Sequence, residues 1–155
     1  MKITERDREI AHEVFVNNFH PNKTDEDIFY EMCFCICAPQ TTFKNNLKVI
    51  GQLRDIDYYH FTSNKLYLEG SEQEFLWTIV KPVRFYRNKA QWLVEARRKF
   101  IDIVYTLRST FADTVKRDWL VKNVKGLGMK TASHLLRNLG ASDLAIIDTH
   151  VLKYL

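Results

Sequence analysis

Trp119-Leu120-Val121-Lys122-Asn123-Val124-Lys125-Gly126-Leu127-Gly128-Met129-Lys130-Thr131-Ala132-Ser133-His134 is the stretch on which the fold turns. Apolar residues at helical spacing on either side of Val124–Gly128 predict two short helices, about 114–123 and 129–139, joined by Gly-x-Gly. Glycine lets the backbone turn sharply and expose its amide N–H groups. The second helix starts at that turn, so the positive end of its dipole adds to the same anion-attracting spot. Such a corner grips a phosphate without reading base sequence. An ordinary helix–turn–helix corner with a glycine C-cap has the same local pattern.

The residues around the corner carry more. Ala132, Leu135, Leu136 and Leu139 form the apolar stripe of the second helix, which gathers Lys130, His134 and Arg137 on its other face. Lys130 lies in the first turn, where a cation opposes the helix dipole, and Lys125 is close in sequence. Together with any burial, these effects favour a free, nucleophilic amine. Asp148 follows eighteen residues after Lys130, at the end of the apolar run Ala145-Ile146-Ile147 and just before Thr149-His150. It is placed to cap a helix containing Val151, Leu152 and Tyr154, and one carboxylate oxygen can cap while the other faces a site.

Outward from this module the chain reads as helical throughout. Only 5 Gly and 3 Pro in 155 residues leave little room for the turns of a sheet-rich fold. Thr4-Glu5-Arg6-Asp7 resembles a helix start, ahead of Ile10, Ala11, Val14 and Phe15. Thr24-Asp25-Glu26-Asp27 opens a second helix that Pro39 stops, and Thr41 or Thr42 caps a third with Phe43, Leu47, Ile50 and Leu53 on its apolar face. Residues 55–70 read as irregular and aromatic, and Ser71-Glu72-Gln73-Glu74 is a capping box for the next helix. Ala90, Leu93, Val94, Ile101 and Val104 mark the longest helix, roughly 88–107. There is no repeat, low-complexity tract or linker, so the expectation is one all-α domain over 1–155, with a hairpin module at about 114–139 and an aspartate segment at 145–150.

The net charge of +4 is unevenly spread. Residues 1–80 hold 8 Lys and Arg against 13 Asp and Glu, whereas 81–130 hold 13 against 4. A basic middle suits a polyanion, nucleic acid first among the candidates, although folding can also scatter such charges. No apolar run is long enough to span a membrane, and the amino terminus lacks the order of a signal peptide. Cys33, Cys35 and Cys37 alternate on a predicted helix, pointing about 200° apart at two-residue spacing, so they are read as core rather than as metal ligands. Neither a metal, an iron–sulfur cluster nor another cofactor is expected, and the protein is read as intracellular.

Lys125-Gly126-Leu127-Gly128-Met129-Lys130, followed at this distance by Ile147-Asp148-Thr149-His150, resembles the helix–hairpin–helix superfamily of DNA glycosylases. Residues 119–153 resemble most the archaeal-type 8-oxoguanine DNA glycosylase/AP lyases, as do Arg84-Phe85-Tyr86-Arg87-Asn88-Lys89-Ala90 and Val94-Glu95-Ala96-Arg97. The resemblance implies a two-lobed helical fold and a monomer acting on damaged double-stranded DNA at a prokaryotic nucleoid. It implies that Lys130 attacks C1′ of the damaged nucleotide and that Asp148 stabilises the positive charge building on the sugar. Lys125, Gly126, Gly128 and His150 would hold DNA phosphates. Gln40 matches a glutamine that fills the gap left by the flipped base in endonuclease III-like relatives, and Phe85, beside Arg84, would stack on the orphaned partner base. Endonuclease III, acting on oxidised pyrimidines, is the nearest enzymatic alternative, and a helix–hairpin–helix module that binds DNA without chemistry is the third. The chain ends seven residues after Asp148, where the family continues for several helices that help form the base pocket.

Overall fold

Short polar signals start the helices close to where the sequence places them. A computed structural model of the chain describes residues 23–61 and 71–147, together with Arg6 and Lys153. Thr24 opens α1 (Asp25–Cys37), its hydroxyl accepting the Asp27 N–H while the Asp27 carboxylate accepts the Thr24 N–H. The Thr24 hydroxyl also donates to that carboxylate at 2.8 Å, and this bond, together with the one from the Thr24 N–H, holds the Asp27 carboxyl below its usual range. Thr42 caps α2 (Phe43–Asp55), and Ser71 with Glu74 forms the same reciprocal cap on α3 (Glu72–Val80). A 3-10 turn at Tyr58–His60 lies between them, and α4 (Tyr86–Arg98), α5 (Phe100–Arg108), α6 (Asp113–Asn123) and α7 (Met129–Asn138) follow. Among the described residues there are seven α-helices and no strand, so the fold is all-α. The helix start at Thr4 lies outside the described residues, Arg6 excepted.

α1 is the central helix, packed against α2, α4, α5 and α7. It is buried nearly all round, with Phe29, Met32, Cys33, Cys35, Ile36 and Cys37 fully enclosed. A helix whose every face is apolar can only sit inside. The three cysteines are core, as expected, and burial pushes all three thiols up, Cys37 to about 12. Thiols held protonated in this way neither attack nor ligate.

The single helix expected over 88–107 is broken. At Lys99 the backbone turns (φ −97°, ψ 8°), ending α4 and starting α5. The break rotates the following residues so that Phe100 enters the core, edge-on to Phe29 and Tyr59 with ring centroids 5.1 and 5.8 Å away. Ile101, assigned to the buried face by its spacing, is instead 85% exposed. The aromatic cluster overrides the period. Phe43 and Leu47 also face outward, whereas Val49, Ile50 and Leu53 carry the buried face of α2.

One polar knot closes the far end of α4. The Glu72 carboxylate accepts from Arg97 Nε at 2.9 Å and from Tyr58 Oη at 3.0 Å. Arg97 also donates to the Phe61 carbonyl at 2.7 Å and lies over the Tyr58 and Phe61 rings. Three segments distant in sequence thus meet at one carboxylate. Removing it strands a largely buried guanidinium and the Tyr58 hydroxyl, so Glu72→Ala should cost about 3 kcal/mol, read as a lower urea midpoint with an unchanged slope.

Candidate nucleic-acid interface and reactive lysine

The loop between α6 and α7 takes its shape from a glycine that no other residue can replace without strain. Gly126 has φ +90°, and a Cβ there would lie 2.7 Å from Cε3 of the Trp92 ring and 3.2 Å from Cγ2 of Ile36. The hairpin backbone is therefore pressed onto the last turn of α1 and the outer side of α4. Gly128 differs: with φ −92° it is the N-cap of α7, with open space where a Cβ would go. Its N–H donates to Thr131 Oγ1 at 2.8 Å, and the Leu127 N–H to the Val124 carbonyl, so two loop amides are used internally. The first-turn amides of α7 still point out of the helix end, as at any helix start.

Lys125 is exposed and paired with Glu95 of α4 at 3.1 Å, which ties the loop to that helix and offsets part of its charge. Lys99 Nζ reaches the Asn123 carbonyl at the end of α6. Lys130 stands exposed in the first turn of α7, one helical turn before His134. Asp148 and His150 lie outside the described residues.

Beside that face of α7 is a cavity of about 690 Å³, lined by Glu31, Phe34, Phe43, Leu47, His134 and Asn138 among others. Phe34 and Phe43 meet edge to face across it, and Asn138 donates to Glu31. Burial holds the His134 imidazole below its usual range; Lys130 and Arg137 act in the same direction, against the pull of Glu31. The spacing of α7 put His134 with Lys130, but the aromatic wall comes from α1 and α2. The sequence hides this wall because Phe43 and Leu47 have the spacing of a core face, yet both are exposed.

The two wedge candidates sit on neighbouring turns. Gln40, in the turn after α1, has φ 55° and is exposed; Phe85, at the start of α4, has φ 58° and is 52% exposed. The Arg84 guanidinium lies 4.9 Å from the Phe85 ring centroid, and the Arg84 N–H donates to Thr41 Oγ1. The structure thus brings Gln40, Arg84 and Phe85 together at the end of α1 that also seats Gly126. Among the described residues no three His, Cys, Asp or Glu cluster as metal ligands. No described helix is long and apolar enough to cross a membrane.

Comparison with known proteins places this geometry. The family model described as 8-oxoguanine DNA glycosylase (Ogg-HhH) matches residues 11–155. The 8-oxoguanine DNA glycosylase/AP lyase of Fusobacterium nucleatum is 36% identical over 144 residues, covering 89% of this chain and 62% of that protein. The Methanocaldococcus jannaschii protein of the same name is 38% identical over 135 residues, covering 86% and 60%. A crystal structure of an M. jannaschii 8-oxoguanine glycosylase/lyase with a 15mer DNA containing 8-oxoguanine superposes with a TM-score of 0.76 at 34% identity. It covers 97% of this chain and 68% of that one. The chain thus spans roughly three-fifths of the length of these curated relatives.

Two outcomes follow from the site geometry. Gly126→Ala combines a strained φ with a clash against Trp92 and should cost about 2–4 kcal/mol, whereas Gly128→Ala should cost under about 1 kcal/mol, both by urea unfolding. With its folded pKa depressed, His134 takes up its proton more readily in the unfolded chain. Stability should therefore fall as pH drops below about 6.5, the unfolded value, and His134→Gln should flatten the unfolding midpoint between pH 7.5 and 5.5.

Proposed function

The chain belongs to the 8-oxoguanine DNA glycosylase family, and from that membership we propose that it excises oxidised guanine from double-stranded DNA and then cuts the strand. The observation that carries the reading is Lys130 itself: an exposed amine in the first turn of α7, placed there by a glycine hairpin of phosphate-binding type. Residues 1–155 act as one domain, with the hairpin module at about 114–139 supplying both the phosphate grip and the nucleophile.

In this mechanism the lesion leaves the stack and enters the site beside α7. The Lys130 Nζ lone pair forms a bond to C1′ as the N-glycosidic bond breaks, and the base departs with the bonding pair of that broken bond and takes up a proton. Positive charge builds on the sugar in the transition state, and Asp148 is the carboxylate assigned to stabilise it. Ring opening leaves Lys130 joined to C1′ as a protonated Schiff base. Loss of a C2′ proton then expels the 3′ phosphate by β-elimination, and water frees the lysine. The cavity lined by Phe34 and Phe43 has the size range of ligand pockets, and a neutral His134 adds no second cation beside the amine. Gly126, Gly128, Lys125 and His150 hold the backbone, Gln40 fills the space the base leaves, and Phe85 stacks on the orphaned partner base. The chain works as a monomer in the cytoplasm of a prokaryote, at the nucleoid.

Borohydride trapping tests the reading directly. The protein should form a covalent adduct with a duplex carrying 8-oxoguanine and give none with thymine glycol. Lys130→Gln should abolish both adduct and nicking while leaving duplex affinity within about threefold. Nicking that survives this substitution would exclude the lysine mechanism, and an adduct with an abasic site alone would limit the activity to the lyase step.

A further inference from the structure

Lys89 is 1% exposed, an unusual place for an ammonium, and the other large enclosed side chains among the described residues are apolar or aromatic. It lies on the buried stripe of α4 with Leu93 and Ala96, and its side chain leaves that helix for the turn after α1. There Nζ donates to the Cys37 carbonyl at 2.7 Å, the Pro39 carbonyl at 2.8 Å and Thr41 Oγ1 at 3.0 Å. All three ammonium hydrogens have an acceptor, and none of those acceptors is a carboxylate. Burial lowers the Lys89 pKa accordingly. A methionine would fill the same space without that desolvation cost, so the ammonium is kept for what it holds.

What it holds is a pair of turns. α1 has no basic residue in its last turn, and Lys89 supplies the cation to its carbonyl end from another helix. Thr41 Oγ1 also accepts the Arg84 N–H and donates to the Pro39 carbonyl, while Asn45 Nδ2 donates to the Pro82 carbonyl at 3.1 Å. The turn at 38–42 and the turn at 81–85 are thereby locked to each other. Each presents one exposed non-glycine residue in the left-handed region, Gln40 and Phe85. That conformation costs such residues about 1–2 kcal/mol each and persists only where the surroundings enforce it.

We infer that Lys89 is a positioning residue for DNA entry: its buried ammonium fixes the turns bearing Gln40 and Phe85 as one rigid two-pronged wedge. Rigid prongs lose little conformational freedom when they enter a base stack, which is where a flexible loop would lose most. The inference rests on the glycosylase/lyase reading above. Lys89 touches neither the reacting sugar nor the base.

The test separates opening the duplex from the chemistry at Lys130. Lys89→Met keeps an unbranched side chain, one atom shorter, and removes its donors. Lyase rates are compared on an abasic site in a duplex, where the sugar must be drawn out, and on a single-stranded abasic oligonucleotide, where nothing has to be opened. Expected is a loss of tenfold or more on the duplex with single-strand trapping within about threefold of the unsubstituted protein. A 2-aminopurine beside the site should show a correspondingly smaller fluorescence rise on binding. Thr41→Val, which removes one acceptor from the same cluster, should give the same selective loss in milder form and decides the matter if Lys89→Met does not fold. Equal losses on both substrates, or an unchanged duplex rate, overturn the inference. No adduct from the unsubstituted protein on either substrate overturns the lyase reading, and the inference with it.

Discussion

The backbone of Gly126 presses against the Trp92 ring and Ile36, and the remainder of the interface is arranged around that contact. A side chain at this position would push the hairpin away from both helices. With hydrogen there instead, the hairpin seats on α1 and α4 together, and the Lys125–Glu95 and Lys99–Asn123 contacts hold it from the rim. The axis of α7, and so the place of Lys130, follows from that seating. The end of α1 that receives Gly126 also receives Lys89, so hairpin and wedge turns are referenced to the same buried helix.

Local signals were legible in the sequence, and signals that depend on distant partners were not. The caps at Thr24, Thr42 and Ser71 are set by residues three apart, and the Gly-x-Gly corner is set by backbone permissiveness alone. The break at Lys99 had no such local mark. It arises because Phe100 completes an aromatic cluster with Phe29 and Tyr59, two residues from other segments, and that gain outweighs continuing one helix. Lys89 is not singled out by the sequence, because its burial depends on acceptors from another helix end. Those acceptors lie some fifty residues earlier in the chain.

The charge excess of residues 81–130 changes meaning once folded. Lys89 is turned inward, Arg97 is bound to Glu72, Arg108 to Asp25, Lys116 to Asp113 and Lys125 to Glu95. Of these four acids only Glu72 and Asp25 come from the acidic amino-terminal part, while Asp113 and Glu95 belong to the basic stretch itself. Lys81, Arg84, Arg87, Arg98, Lys99, Lys122 and Lys130 are exposed, as are the paired Arg108 and Lys125. In the proposed reaction the first-turn amides of α7 add directed donors at fixed positions to these outward cations.

Rigidity is distributed according to what each part has to do in the proposed reaction. A wedge must arrive in one shape, because any freedom it loses on entering the stack is subtracted from binding. Gln40 and Phe85 accordingly sit in strained backbone that the core enforces. The nucleophile faces the opposite demand. Its nitrogen must follow C1′ through attack, ring opening and elimination, three geometries that no single rotamer satisfies. Lysine supplies that reach, because its long side chain extends from an exposed first-turn position whose Cα is fixed by α7. Fixed prongs and a long-armed amine on one buried helix core are the combination that extraction followed by covalent capture requires.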